Sequence, residues 1–169
     1  LIAASEAGGV PSTVDALSRL PGIGPYTAGA IASIAFGRSA AAVDGNVERV
    51  LSRVDRGPEA PWATAGKRDL AARSLGLHEG RRLGDHAGEL TQALMELGAT
   101  VCTPTSPTCD TCPIRSGCAA NHHDEVLDWP RRRPRKAPTP IAAAVALIEQ
   151  DGCTLMGQRP ASGLLAGLW

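Results

Sequence analysis

Aromatic residues are scarce in this chain, and lysine is almost absent. Phe, Trp and Tyr together make up 3% of the 169 residues, so the core has to be built mainly from Ala, Leu, Val and Ile. Such a composition favours close-packed helices over a β-sandwich. Lysine occurs only at Lys67 and Lys136, and the formal net charge is zero, which excludes binding to a polyanion through overall charge. Any contact with nucleic acid must depend on local features.

Long apolar runs are absent as well. No stretch approaches the roughly 20 residues that a membrane-spanning helix needs, and the first residues lack the basic-then-apolar pattern of a secretion signal. The bias towards Arg and Ala favours a GC-rich bacterial genome, so we expect a cytoplasmic, nucleoid-associated bacterial protein without membrane contact. In a reducing compartment, clustered cysteines hold metal more often than they form disulfides. Because the chain lacks an initial Met and stops early in a β-segment, we expect a fragment at both ends.

Two short helices are predicted to flank a glycine- and proline-containing turn at residues 20–24. Ser12 or Thr13 can cap the first helix, which ends at the turn. The second helix begins near Pro25, where a first-turn proline is favourable, and it ends by Gly37. The turn is therefore interpreted as a hairpin that joins two helices.

Three further helices are predicted from hydrophobic periodicity. One starts near Asn46. Its apolar residues lie on one face, and Glu48, Arg49 and Arg53 lie on the opposite, polar face. A weaker helix is predicted around residues 67–75 and a stronger one over residues 85–97. Gly98 is the expected stop of the stronger helix.

The chain is expected to contain two domains joined by a linker. Residues 1–123 carry the helices, and the basic, proline-rich residues 124–140 form the linker, since their prolines prevent a helix. An apolar run and the turn Asp151-Gly152 then predict a β-hairpin at the start of a second domain, residues 141–169. Cys153 in the second strand is expected to be buried.

Four cysteines lie within 17 residues in the pattern C-x6-C-x2-C-x5-C; they are Cys102, Cys109, Cys112 and Cys118. Thiolates bind iron-sulfur clusters and zinc alike, and four ligands complete either site. Structural zinc sites commonly use two short cysteine pairs, whereas this pattern contains one. The spacing therefore favours an iron-sulfur cluster, and it leaves zinc and unligated cysteines as alternatives.

The predicted hairpin has the features of a phosphate-binding turn. Gly22 and Gly24 allow the backbone to approach another molecule closely and to point amide N–H groups outward. Together with the N-terminus of the following helix, these amides can hold a DNA phosphate without reading sequence. A tight structural turn between helices is the alternative, and this short motif does not by itself separate the two.

Asp44 lies just before the predicted helix that starts near Asn46. An acid at this position can be an ordinary helix N-terminal carboxylate, which the helix dipole favours. It can also stabilise the cationic sugar that forms when a base leaves a flipped-out nucleotide. The local sequence leaves both interpretations open.

The strings LPGIGPYTAGAIASIAFG and VDGNVERVLSR, followed by the four-cysteine loop, resemble the helix-hairpin-helix DNA glycosylases of the endonuclease III superfamily. Over essentially its whole length, the chain is most similar to the MutY family of A/G-specific adenine-DNA glycosylases. Tyr26 stands where endonuclease III-type enzymes carry their lyase lysine, and the ending GQRPASGLLAGLW resembles the start of a Nudix-like domain. The implied fold is mainly α, a helix-hairpin-helix glycosylase domain followed by the start of a Nudix-like α/β domain.

The resemblance implies a monofunctional base-excision repair enzyme that acts as a monomer on double-stranded DNA. Its expected substrate is adenine mispaired with 8-oxoguanine or guanine, which is flipped out and released by hydrolysis. Asp44 is expected to stabilise the oxocarbenium-like sugar, and Tyr26 and Asn46 to line the pocket. The residues expected at the DNA backbone are Leu20, Gly22, Ile23 and Gly24. The expected ligands of a [4Fe-4S] cluster are Cys102, Cys109, Cys112 and Cys118, and Arg115 is a candidate phosphate contact beside them.

The chain departs from the family at the general acid. The family's glutamate lies on a helix well upstream of the hairpin, and Glu6 is too close to the hairpin to match it. We therefore expect this polypeptide alone to be inactive or nearly so. Two alternatives are an endonuclease III-like glycosylase for oxidised pyrimidines, against which Tyr26 and the C-terminal extension argue, and a non-catalytic iron-sulfur DNA-binding module.

Overall fold

The computed structural model describes residues 9–79, 86–134, 137–138, 140, 147–163 and 165–169. The chain divides into two compact units, with the boundary after Pro134. The first unit is helical, and the described part of the second contains a short β-hairpin. No helix among the described residues is long and apolar enough to cross a membrane.

Helices α1 (Val14–Leu17) and α2 (Pro25–Ala30) flank the predicted turn. Thr13 caps α1, because its hydroxyl oxygen accepts a hydrogen bond at 3.4 Å from a backbone N–H of the first turn. The predicted second helix is confirmed, since α2 passes directly into a π-helical turn, Ile31–Ala35. The chain leaves this turn at Gly37, whose φ of +62° suits glycine.

Three longer helices complete most of the first unit. Helix α3 spans Gly45–Asp55, and α4 spans Thr64–Glu79, so α4 is longer than the predicted 67–75. Helix α5 spans Ala87–Glu96 and continues as a π-helical turn, Leu97–Val101. The expected start of this last helix at residue 85 lies outside the described residues.

The prediction that Gly98 ends the helix is wrong, because Gly98 lies inside the π-helical turn. A Cβ at this position would lie 2.6 Å from the Cβ of Asn46 and 2.8 Å from its carbonyl oxygen. Glycine therefore serves here for close approach, and it lets the π-helical turn pack directly on the first turn of α3. This contact places the start of the cysteine loop beside α3.

Small side chains dominate the core, as the composition predicts. One buried cluster contains Leu17, Ala28, Ala32 and Ala40, and another contains Val47, Leu51 and Leu70. The close packing extends to the backbone, since a Cβ at Gly29 would overlap the carbonyl oxygen of Ala41. The expectation of close-packed helices built from alanine and branched aliphatic residues is therefore confirmed.

The four-cysteine loop, residues 102–118, follows the π-helical turn. It contains two 3-10 turns, Cys109–Thr111 and Arg115–Gly117, and it is followed by α6 (Ala119–His122). The chain then makes a 3-10 turn, Val126–Asp128, before Trp129, which is only 3% exposed.

Residues 125–131, here called the strap, belong to the first unit and include this buried tryptophan. We expected residues 124–140 to form one exposed linker, but Trp129 in the first part of that range is buried because an apolar indole gains by leaving water. The described residues from 132 onwards in this range are exposed, as expected of a linker.

The second unit contains the predicted β-hairpin. Strands β1 (Glu149–Gln150) and β2 (Cys153–Thr154) pair antiparallel, with Glu149 opposite Thr154. Asp151 and Gly152 between them have φ values of +51° and +77°, as two-residue hairpin turns require. Cys153 is exposed rather than buried, since the short ribbon is open to solvent along both strands. Residues 141–146 of the apolar run lie outside the described residues.

Candidate functional site

The hairpin at residues 20–24 is closed by a hydrogen bond that the Ile23 N–H donates to the Leu20 carbonyl at 3.2 Å. Both side chains pack against the first core cluster and anchor the turn. Gly22 has a φ of +80°, and Gly24 is the N-cap residue of α2. Within the part of the chain that the structure describes, the N–H groups of these two glycines have no protein acceptor. The hairpin therefore presents two free amide donors to the surface.

Asp44 is the N-cap residue of α3, and three donors orient its carboxylate. Oδ1 accepts hydrogen bonds from the backbone N–H groups of Asn46 at 2.9 Å and Val47 at 2.7 Å. Oδ2 accepts a hydrogen bond from Nδ2 of Asn46 at 3.1 Å. The carboxylate is half-buried at the positive end of the helix dipole, where a negative charge is favourable. It is thus a fixed anion rather than a mobile surface group.

Arg49 connects this aspartate site to the start of the cysteine loop. Its Nη2 donates to Oδ1 of Asn46 at 2.8 Å and to the Gly98 carbonyl at 2.6 Å. Its Nε donates to the Cys102 carbonyl at 2.7 Å. One planar guanidinium therefore joins the first turn of α3, the π-helical turn and the first cysteine.

Arg53, one turn further along α3, is buried and 2% exposed. Its Nη1 donates to the sulfur of Cys102 at 3.2 Å and to the Thr103 carbonyl at 2.9 Å. Its Nη2 donates to the Pro104 carbonyl at 3.2 Å, and its Nε donates to the Trp129 carbonyl at 3.0 Å. Arg53 therefore holds both the cysteine loop and the strap.

All four loop cysteines line one cavity. Its remaining lining residues, which include no acid and no histidine, are Val50, Arg53, Val54, Leu97, Val101, Pro107, Ile114, Arg115, Asn121 and Val126. The thiols are half-buried and unpaired. Burial raises the pKa of Cys109, and the other three thiols raise it further, whereas Arg53 lowers it. The four sulfurs are thus electrostatic neighbours in a largely apolar cavity.

No three His, Cys, Asp or Glu side chains within the described ranges are grouped so that they could hold a single metal ion. The cavity nevertheless combines four thiols with a buried cation, Arg53. The side chains supply sulfur donors only, which suits soft metal centres rather than oxygen-preferring cations.

The strap is fixed to the C-terminal end of α3. Arg56, the C-cap residue, donates to both carboxylate oxygens of Glu125 at 2.8 Å and 2.9 Å, and Nε1 of Trp129 donates to the same carboxylate at 3.2 Å. The hydrogen bond from Trp129, followed by that from Arg56, lowers the pKa of Glu125. Arg131 stacks over the Trp129 ring, 4.4 Å from its centroid.

The other predicted site residues lie at the surface. Tyr26 is 42% exposed, and no hydrogen bond in the described part of the chain joins it to Asp44 or Asn46. Arg115 pairs with Asp110 at 2.8 Å, so its charge is partly compensated. Glu6 lies outside the described residues.

The structure places Arg49 and Arg53 differently from the sequence-based prediction. Both were expected on the outer, polar face of α3, but they point into the molecule because the loop that begins at Cys102 supplies acceptors for them. Their four-residue spacing places them on one helical face, and this was the only signal in the sequence. The partners lie about 50 residues away, so no local pattern could identify them.

Sequence comparisons show what this chain is similar to. A family model described as a helix-hairpin-helix motif matches residues 5–34. The human protein named adenine DNA glycosylase is 38% identical over 97% of this chain and 38% of its own length. The Mycolicibacterium smegmatis protein of the same name is 47% identical over 62% of this chain and 34% of its own length. The chain therefore spans well under half of the length of these curated relatives.

Solved structures give the same fold. A thermostable thymine-DNA glycosylase superposes with a TM-score of 0.60 and 29% identity, over 72% of this chain and 54% of that one. An endonuclease III trapped as a covalent intermediate with DNA superposes with a TM-score of 0.54 and 28% identity, over 70% of this chain and 52% of that one. The chain belongs to the helix-hairpin-helix DNA glycosylases, and within them to the adenine DNA glycosylase family.

Proposed function

We propose that this chain supplies the DNA-gripping hairpin, the catalytic aspartate and the metal loop of a monofunctional base-excision repair enzyme. The enzyme acts as a monomer on double-stranded DNA and hydrolyses the N-glycosidic bond of adenine mispaired with 8-oxoguanine or guanine. The observation that carries this proposal is the fixed carboxylate of Asp44, oriented by three donors at a helix N-terminus.

Asp44 is the residue that stabilises the reaction's transition state. When the base departs, positive charge develops on the deoxyribose ring, and a carboxylate held beside it lowers the energy of that cation. A pre-oriented carboxylate does not have to reorganise as the charge develops, which is the source of its advantage over water. A water molecule then adds to the sugar and leaves an abasic site.

Tyr26 and Asn46 are proposed to line the pocket for the flipped-out adenine. Asn46 supports the carboxylate of Asp44 directly and is itself held by Arg49. Tyr26 offers no amine, so a Schiff base with the sugar cannot form at this position, and strand cleavage is not part of the proposed reaction.

The hairpin is proposed to hold the DNA backbone near the flipped nucleotide. Its two free amide donors, on Gly22 and Gly24, face open space, since a Cβ at either position would meet no atom within 4 Å. Leu20 and Ile23 fix the turn to the core. Amides of this kind bind phosphate oxygens without regard to sequence, as an enzyme that searches DNA requires.

The four loop cysteines are proposed to hold a [4Fe-4S] cluster. The donor set fits this group, because four thiols and no other metal ligand line one cavity with mostly apolar walls. When bound, the cluster supplies four metal–sulfur bonds that fix the loop in its folded form. Arg115 within the loop is a candidate contact to phosphate, although its pairing with Asp110 partly compensates its charge.

Residues 141–169 are proposed to begin a Nudix-like domain, joined to the glycosylase domain of residues 1–123 by residues 124–140. The described β-hairpin at 149–154 is compatible with the first strands of such a domain. Recognition of the base opposite the adenine is assigned to that domain.

The test is single-turnover release of adenine from a duplex that contains one A:8-oxoguanine pair. The product of the complete reading frame that encodes these residues is compared with its Asp44→Asn variant and with the 169-residue chain. We expect adenine release to fall by roughly 100-fold or more in Asp44→Asn, because an oriented charge becomes neutral. Equal release by the parent protein and the variant would contradict the assigned role.

A second candidate is an endonuclease III-like glycosylase for oxidised pyrimidines; the solved structures that superpose on this chain include endonuclease III as well as a thymine-DNA glycosylase. Identity to these proteins is 28–29%, against 38–47% for the adenine DNA glycosylases above. A duplex with thymine glycol in the same assay separates the two, since only the second candidate releases that base. Binding of both duplexes without release of any base would instead indicate a non-catalytic module.

A further inference from the structure

Arg53 carries the most unusual charge among the described residues of the first unit. Its side chain is the largest of the fully buried ones in the described part of the chain. Within the part of the chain that the structure describes, no carboxylate lies within ion-pair distance of it, and its acceptors are three carbonyl oxygens and one sulfur. A buried cation without a counter-charge is unfavourable, so the fold should place a negative charge close to it.

Among the residues that the structure describes, the only groups of suitable chemistry beside Arg53 are the loop sulfurs. Nη1 donates to the sulfur of Cys102 at 3.2 Å, and the thiol of Cys118 donates to the Arg53 carbonyl at 3.5 Å. Arg53 also lines the same cavity as all four loop cysteines. The loop thiols become thiolates when they ligate metal, so ligation brings the missing negative charge to this position.

We propose that Arg53 is the positioning residue that compensates the negative charge of the cysteine-bound cluster and thereby raises its reduction potential. This inference rests on the proposed [4Fe-4S] site. A buried positive charge stabilises the more negative, reduced form over the oxidised form, and a hydrogen bond to a ligand sulfur acts in the same direction. The low polarity of the cavity walls strengthens both effects.

Arg115 provides a matched control within the same cavity. It also lines the cavity, but its side chain is half exposed and pairs with Asp110. Its charge is therefore compensated and screened by water, and it makes no hydrogen bond to a sulfur in the described structure. Loss of the Arg115 charge should leave the cluster potential close to that of the parent protein.

The test is protein-film voltammetry of the product of the complete reading frame, in which the electrode exchanges one electron with the cluster. Iron and sulfide content and the visible spectrum are measured on the same samples. The variants are Arg53→Gln, Arg53→Lys and Arg115→Gln. Voltammetry reports only on cluster-loaded molecules, so partial loading of a variant does not prevent the measurement.

We expect the potential of Arg53→Gln to shift downward, that of Arg53→Lys to stay nearer the parent because the charge is kept, and that of Arg115→Gln to stay unchanged. If Arg53→Gln loads no iron, Arg53→Lys decides: a downward shift from the parent, caused by loss of the guanidinium hydrogen bond to the Cys102 sulfur, supports the proposal, and an unchanged potential overturns it. A downward shift in Arg53→Lys as large as in Arg53→Gln, or equal potentials in the parent and all loaded variants, would overturn the proposal.

Failure of the proposed cluster is distinguishable from failure of this inference. A parent protein that binds zinc or no metal at all would refute the cluster, whatever the variants do. A parent that carries a full iron-sulfur complement and whose potential does not respond to Arg53 would refute only the role of Arg53.

Discussion

The hairpin at residues 20–24 and the four-cysteine loop at residues 102–118 are both irregular segments between helices, but they are stabilised in opposite ways. The hairpin is closed by one hydrogen bond between residues three positions apart, and its two glycines face open space. The loop is held by Arg49 and Arg53, which lie about 50 residues earlier in the chain. Short-range stabilisation leaves a segment free to meet a ligand, whereas long-range stabilisation ties the segment into the core.

The largest loss of stability is expected at Gly98, where the segment that leads into the cysteine loop packs on α3. Gly98→Ala should lower the free energy of unfolding by about 1–3 kcal/mol, because the new methyl group has no room beside Asn46. Urea denaturation followed by circular dichroism measures this loss. Gly76→Ala is the matched control, since Gly76 lies in α4 with open space around it and the change should stabilise by roughly 0.5–1 kcal/mol. Equal effects of the two substitutions would show that the contact at Gly98 is not tight.

An intermediate loss of stability is expected in the hairpin, where Gly22 and Gly24 differ in backbone conformation. Gly22→Ala should cost about 1–2 kcal/mol of unfolding free energy, because its φ of +80° is strained for alanine. Gly24→Ala should cost less, since its φ of −86° is ordinary and only the preference of a helix N-cap for glycine over alanine is lost. Both should weaken DNA binding in a fluorescence anisotropy titration, because either methyl group faces the surface that presents the free amides. Unchanged DNA affinity in Gly24→Ala would show that the hairpin amides do not contact DNA.

The smallest effect is expected at the strap and depends on pH. The pKa of Glu125 is below its ordinary value of 4.5, so its contribution to stability is present above about pH 4.5 and is lost as pH falls through the lowered value. Thermal unfolding of Glu125→Gln should therefore depend less on pH below 4.5 than that of the parent protein. Arg56→Gln should show an intermediate slope, because the hydrogen bond from Trp129 remains. Parallel profiles for all three proteins would contradict the link between this carboxylate and the strap.

The sequence was sufficient for the features that depend on neighbouring residues. A cap at Ser12 or Thr13, the hairpin between α1 and α2, and the turn at Asp151-Gly152 follow from local backbone chemistry. The structure has each of them, with Thr13 as the cap. Asp44 at the start of α3 was also placed correctly as a helix N-terminal acid, and its role in catalysis stays a prediction.

The sequence was insufficient to predict the surroundings of residues whose contact partners are distant in the chain. Arg53 looks like a solvent-facing residue of an amphipathic helix until the loop and the strap provide its acceptors. Gly98 looks like a helix stop because close approach to Asn46 leaves no trace in the local pattern. Trp129 lies beside a proline- and arginine-rich stretch that predicts exposure. It is nevertheless buried, and its carbonyl accepts a hydrogen bond from Arg53 of α3.

The contacts of Arg53 also set an order of events during synthesis of the chain. Arg53 leaves the ribosome 49 residues before Cys102 and 76 residues before Trp129, whose carbonyl it binds. Contacts this distant in sequence form late, because the intervening chain has to be closed into a loop first. Until Trp129 has emerged, α3 carries a cation that its own residues cannot satisfy. A nascent chain or truncation product that ends before the strap is therefore expected to keep α3 open to solvent and to chaperones.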